Sequence, residues 1–334
     1  MYRDFTKGSI LKALLLFALP MIAGNLLQQL YNIADTLIVG RVLGKNALAA
    51  VGSAYTLMTF LTSIFLGLSL GAGALFSICL GRHDRDALRR AVAHAFVLIG
   101  LVTLVLNAAV FAFCDPILRF LQVPSELYDD MRSYLQIIFL GLIATFFYNF
   151  FACLLRAAGN SAAPLWFLAA AALLNIGLDL LFVAVLHRGV AGAAEATILA
   201  QYVSGLGLAL YTLARCRDLL PQKRHWHYDR QTIRDLFDLS LLTCAQQSAM
   251  NFGILLIQRL VDSFGAVTMA AFAAAVKIDS FAYLPVQDFG NAFSTFAAQN
   301  YGARQPQRLR QGLRQATLLS AGFSCVVALF VVVF

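Results

Sequence analysis

Apolar residues along this chain come in long uninterrupted runs. Uncharged stretches occupy 13–34, 46–81, 91–114, 133–155, 157–178, 196–214, 239–258 and 315–334, and 263–303 holds only Lys277, Asp279 and Asp288. A membrane helix needs about 20 mostly apolar residues and a membrane strand only about 9–11 with strict alternation, so these runs point to helices. The pattern predicts nine spans near 13–34, 52–79, 91–113, 133–153, 164–186, 190–213, 235–258, 270–299 and 315–334. Most connections are short. The longest polar one is 214–234, and 114–132, with Asp115-Pro116 and Val123-Pro124-Ser125, is expected to include an interfacial helical turn.

Composition sharpens this picture. Of 334 residues 60% are hydrophobic and 13% charged, and mean hydropathy is +0.75. A soluble domain carries roughly 25% charged residues, so lipid is the main solvent here. The formal charge of +8 suggests nucleic acid only until the basic residues are placed. Eighteen Lys and Arg fall on the side that carries the N-terminus, in clusters around Arg3, Arg82, Arg156, Arg215 and Arg304. Six fall opposite, namely Arg41, Lys45, Arg119, Arg132, Arg188 and Arg259. The bias predicts a cytoplasmic N-terminus and an affinity for anionic lipid, with no nucleic-acid partner. The first span, with Asn25, Gln28, Gln29 and Asn32, is read as a mature helix and not a cleaved leader. Six scattered cysteines, and His94, His187, His225 and His227 without metal spacing, suggest neither disulfides nor a structural metal. No nucleotide-binding loop, metalloprotease histidine pair or soluble domain points to an enzyme, and no cofactor is expected.

The chain also repeats itself. At an offset of 221 positions Gly44 meets Gly265, Ala54 meets Ala275, Phe60 meets Phe281, Gly81 meets Gly302, and Leu88-Arg89 meets Leu309-Arg310. Six spans separate the copies, so they enter the membrane in the same sense, as parallel repeats. This divides the chain into a six-helix lobe at 1–213, a linker at 214–234 and a partial second lobe of three helices at 235–334. Copy two is three helices short when the sequence reaches Val331-Val332-Val333-Phe334, and a truncated chain is expected.

Carboxylates inside spans carry the strongest single-residue signal, because burying one in lipid is costly unless it is paired, hydrated or protonated. Asp35 ends the first span and Asp179 lies inside the fifth. Gln28, Asn32 and Asp35 share one helix face, Asn175 and Asp179 form an i,i+4 pair, and Asn149 on the fourth span is a candidate to face them. Such oxygens suit a proton or a sodium ion, and the residues alone leave that choice open. The competing reading places Asp35 at the outer interface and uses the asparagines to bond neighbouring helices. Gln28, Tyr31 and Asp288 are candidates for a substrate cavity; Asp288 stands where copy one has Gly67, near Pro285, and an ion pair between helices is its rival role. Gly67, Gly71 and Gly73 permit close helix approach.

The stretches Gln29-Leu30-Tyr31-Asn32-Ile33-Ala34-Asp35-Thr36-Leu37-Ile38-Val39-Gly40, Leu155-Arg156-Ala157-Ala158-Gly159-Asn160-Ser161 and Asn175-Ile176-Gly177-Leu178-Asp179 resemble motifs of the multidrug and toxic compound extrusion (MATE) transporters. The resemblance implies an all-α membrane protein, a two-lobe bundle of twelve helices of which this chain holds nine. It further implies a monomeric antiporter of a bacterial plasma membrane, exporting cationic or amphipathic compounds against H+ or Na+ by alternating access. The coupling cluster maps to Asp35, Asn149, Asn175 and Asp179, with Asn32 beside them. Where some members carry an acidic residue in the seventh helix, this chain has Gln246 and Gln247. A lipid-linked precursor flippase of the same superfamily is the rival reading, and it calls for a basic central cavity.

Overall fold

The computed structural model describes residues 3–120, 125–262 and 266–333; the side chains of 45–46, 49, 53, 55–56, 120, 125–127, 254–256, 258–259, 261–262, 266–282, 327–328 and 330–333, Lys277 and Asp279 among them, lie outside the described residues. Among the described residues eleven α-helices follow in order: α1 Ile10–Val42, α2 Lys45–Gly81, α3 Arg85–Ala112, α4 Cys114–Phe120, α5 Ser125–Leu140, α6 Leu142–Ala157, α7 Ala162–Asp179, α8 Gly189–Arg215, α9 Arg230–Asp262, α10 Ala266–Gly302 and α11 Pro306–Val333. A π-helical turn, Leu180–Val185, prolongs α7, and two short 3-10 turns, Arg217–Leu219 and Lys223–Trp226, sit in the linker. Among the described residues there is no strand.

Each predicted span meets a helix. α1, α3, α8, the Ala50–Gly81 part of α2, α7 with its π turn, and the bent pair α5–α6 are long and apolar enough to cross a membrane. α9, α10 and α11 run 33, 37 and 28 residues. At about 1.5 Å per residue even the shortest spans roughly 40 Å, more than the ~30 Å of a hydrocarbon core. The expected interfacial turn near 114 is α4.

The fourth span is not one rod: α5 and α6 meet at 42° around Gly141. A β-carbon at Gly141 would press on the Gln201 amide and on Ile198, so a helix passing this close to α8 cannot carry a larger residue there. The break frees carbonyls, and neighbours capture them. Asn107 Nδ2 donates to Phe139 O at 2.6 Å and the Tyr202 hydroxyl donates to Leu140 O at 2.9 Å. Both donors come from distant parts of the chain, which is why hydropathy alone draws a straight span.

Aromatic packing fills the first six-span bundle. Phe96 of α3 is ringed by Phe146, Phe147, Phe150 and Phe151 of α6, and Phe76 of α2 meets Phe150 edge to face. Each such pair adds about 0.5–1.5 kcal/mol to the burial of its area. A separate core joins the beginning of the chain to its later part. Phe5, Ile10, Leu14, Phe17, Ala18 and Met21 pack on Phe289, Ala292 and Phe296 of α10. Thus the first half of α1 lies against α10 and α11, while Gly24 meets Leu165 and Leu168 of α7.

Candidate functional site

Beyond Gly24, α1 brings Asp35 to α7, whose buried face presents Asn175 and Asp179 one turn apart. Asp179 is 0% exposed and Asn175 2%. The carboxyl groups of Asp35 and Asp179 meet side chain to side chain. Asp35 Oδ1, both oxygens of Asp179, and both polar atoms of Asn175 are shut away from solvent without a hydrogen-bond partner among the described residues. Two ionised carboxylates are acceptors only, so their contact becomes favourable when a proton or another cation lies between them.

Immediately after Asp179 the helix changes pitch. Leu186 N donates to Leu181 O at 2.8 Å, an i to i−5 bond, and Arg188 N donates to Phe182 O at 2.9 Å. A π turn adds a residue to the helical phase and is frequent at functional positions. Its sequence, Leu180–Val185, is uniformly apolar and gives no sign of it.

The remaining predicted residues are less concentrated. Asn32 Nδ2 donates to Gln29 Oε1 at 3.3 Å, and the Thr36 hydroxyl donates to Asn32 O at 2.7 Å. Asn149 is half-buried and its Nδ2 donates back to Thr145 O at 2.9 Å. Tyr31 is half-buried and Gln28 exposed. The structure therefore assembles Asp35, Asp179 and Asn175 between α1 and α7, and turns the amides of Asn32 and Asn149 toward their own helices.

A family model described as MatE matches residues 20–181 and 243–334, which includes both helices of this pair and the later repeat. The chain belongs to the MatE family. It is similar to the probable multidrug resistance protein YpnP of Bacillus subtilis (strain 168), 32% identical over 308 residues, covering 92% of this chain and 68% of that relative. The probable multidrug resistance protein YoeA of the same organism is 26% identical, with 98% of this chain and 73% of the relative covered. Among solved structures, a multidrug resistance MATE family transporter of the MOP superfamily in an outward-facing conformation superposes with a TM-score of 0.91 at 24% identity, covering 99% of this chain and 73% of its own. The fold is that of the MATE transporters, and the chain is a multi-pass membrane protein.

Two further features of this MatE chain were missed in the sequence. Asp288 of α10, 1% exposed, is gripped by Asn25 of α1, whose Nδ2 donates to both carboxylate oxygens at 2.8 Å. Asn25 was visible only as one polar residue in an apolar run. The second feature is a strap formed by residues 3–9 on the face that carries the N-terminus. Phe5, 0% exposed, sits edge-on to Phe17 and Phe296. Its N–H donates to Gln299 Oε1 at 3.0 Å, while Gln299 Nε2 donates to Ala157 O at 2.7 Å. Arg308 Nε and Asn300 Nδ2 both donate to Phe5 O, and Arg308 Nη2 donates to Lys7 O. The strap thereby ties the end of α6 to α10 and α11. No sequence periodicity marks such a segment, because its order derives from partners about 300 positions away.

That face is shut. Gly81 lies against the backbone of Gln299 and Gly302 against the backbone of Ile78, two contacts related by the 221-position repeat.

Proposed function

We propose that this MatE chain is a secondary antiporter that exports small cationic or amphipathic compounds in exchange for H+ or Na+ by alternating access. The reading rests chiefly on one observation: the carboxyls of Asp35 and Asp179 meet between α1 and α7 with Asn175 beside them, and Asp35 Oδ1 and both Asp179 oxygens are buried with no hydrogen-bond partner among the described residues. A buried pair of this kind is strongly unfavourable when doubly charged and empty, so occupancy by the coupling ion changes how tightly α1 holds α7. Because α1 also packs on α10 and α11, the same event bears on how the two halves sit together. Names of the similar curated proteins, probable multidrug resistance proteins and multidrug export proteins, support the substrate class. Asn149 and Asn32 are within the proposed coupling region, Gln28 and Tyr31 are proposed to contact substrate, and Asp288 is proposed to do so in a state where the Asn25 amide has released it. The division into lobes at 1–213 and 235–334, a monomeric state, and a plasma-membrane location with the N-terminus cytoplasmic belong to the same proposal. A lipid-linked pyrophosphate fits less well, since the membrane-embedded groups around the pair are acidic or neutral.

The test is efflux of a fluorescent lipophilic cation from proteoliposomes under an imposed proton or sodium gradient. Asp179→Asn is expected to reduce efflux to the level of empty liposomes while insertion and thermal unfolding stay near wild type. Efflux at the wild-type rate rejects the coupling role, and the gradient that drives wild type identifies the ion.

A further inference from the structure

The shut face holds a groove of about 1050 Å³ lined by the strap and by the turns that end α2 and α10, among them Lys7, Arg82, His83 and Arg304. Its two walls are repeat copies of each other. Gly81-Arg82-His83 forms one and Gly302-Ala303-Arg304 the other, and Gly81 and Gly302 seal the floor through backbone contacts. Both helices end in the same way: Asp84 N donates to Cys79 O and Gln305 N donates to Asn300 O, with His83 and Arg304 left-handed between at φ 56° and 55°. This position favours glycine, and a basic side chain occupies it in both copies. A left-handed non-glycine residue is uncommon; among the described residues there are three, and two of them border this groove.

Charge in the groove is only partly compensated. Arg82 and Arg304 are exposed and have no acidic partner among the described ion pairs, and Lys7 has only a 3.9 Å contact with Asp4. Asp4 is itself engaged by the Thr6 hydroxyl and backbone, and it is the carboxylate that Lys7 and His83 also influence. Helix C-termini attract cations, which accounts for one basic residue per helix end. It does not account for two such ends converging with a third cation from the strap on a shared concavity.

We propose that this groove is a binding site for a phosphate-bearing anion, either a phospholipid headgroup or free phosphate. The site draws on the strap and on both repeats, so it exists only while α2 and α10 are apposed. An occupant bridges Arg82 to Arg304 and favours the shut face over any arrangement that parts the two turns. The inference stands on the groove alone and does not depend on the proposed transport activity.

The experiment titrates inorganic phosphate against the purified chain in phosphatidylcholine nanodiscs at constant ionic strength, and compares discs containing phosphatidylglycerol. The readout is the midpoint of thermal unfolding. A saturable rise with phosphate assigns a soluble anion, and a rise only in phosphatidylglycerol discs assigns a headgroup. In either case Arg82→Gln/Arg304→Gln is expected to weaken the half-saturation at least tenfold, while Arg314→Gln, a cation outside the groove lining, leaves it unchanged. Lys7→Gln serves the same purpose if the double variant folds poorly. A rise reproduced by chloride, an equal loss in Arg314→Gln, or no rise in both arms overturns the proposal.

Discussion

Two helix crossings occupy equivalent places in the repeat and are built differently. Where α2 meets α9, Gly67 lies against the backbone of Cys244 and Gly71 against the backbone of Leu239 and Ser240. Where α10 meets α1, the positions 221 residues later are Asp288 and Ala292, and the contact is made by the Asn25 amide on the Asp288 carboxylate together with the apolar residues around Phe17. The first crossing is closed by shape: nothing but glycine fits, and the helices separate or stay. The second is closed by a hydrogen bond, which can be exchanged for another donor at modest cost. The two copies of the repeat thus hold a stiff crossing and a chemically responsive one.

The sharpest way to break this comparison is to add bulk at the stiff crossing. Gly71→Val is expected to cost about 3 kcal/mol, the upper part of the usual overpacking range, because the obstacle is backbone of α9. Its thermal unfolding midpoint should fall well below that of Ala292→Val, and equal shifts would remove the distinction. At the responsive crossing, Asp288→Ala is expected to cost about 2 kcal/mol by removing the charged acceptor of the half-buried Asn25 amide. Adding Asn25→Ala to that variant should cost little more, so a double-mutant cycle should return a coupling of at least about 1 kcal/mol. A coupling near zero would show that the pair does not hold α1.

A smaller effect lies at the entrance to α9. Asp229 caps this helix, accepting from Gln231 N and Thr232 N and from the Thr232 hydroxyl at 2.8 Å, and Arg90 stands at 3.3 Å. The Thr232 hydroxyl chiefly holds its carboxyl below the usual carboxylate range, with Arg90 helping. A lowered carboxylate contributes stability above its ordinary value near ~4 and loses it as pH falls through the lowered one. Asp229→Ala is therefore expected to cost about 1 kcal/mol at neutral pH, as for other lost caps. Unfolding midpoints of the variant and wild type should converge in acid; a gap independent of pH would mean that the carboxylate charge is not what caps α9.

Sequence reading reached the helices because lipid imposes one strong rule, namely long apolar runs with their backbone bonds satisfied internally. It reached Asn175 and Asp179 as a pair because i,i+4 spacing is a local property of the helix. The repeat, too, was legible, and Gly81 and Gly302 occupy matching places. What escaped depends on partners far along the chain. The bend at Gly141 needs Asn107 and Tyr202 to stabilise it, the grip on Asp288 needs Asn25, and the order of the strap needs Gln299, Asn300 and Arg308. The π turn after Asp179 escaped for a different reason, since Leu180–Val185 would serve equally well in an ordinary helix. Asn149 was expected to look toward the aspartates, but Thr145, one turn back on the same helix, offers its amide a nearer carbonyl.

The strap carries a practical consequence for experiments. At Gly159, with φ 79°, the backbone of Arg3 packs so closely that a β-carbon would strike it, and Phe5 two residues later is fully enclosed. An affinity tag or fluorescent protein fused ahead of this segment would be tethered close to the contact between α6 and α10. Fusions used to follow this protein belong elsewhere in the chain, for instance in the exposed stretch around His227 and Tyr228, if the label is not to pry apart the seam it is meant to report on.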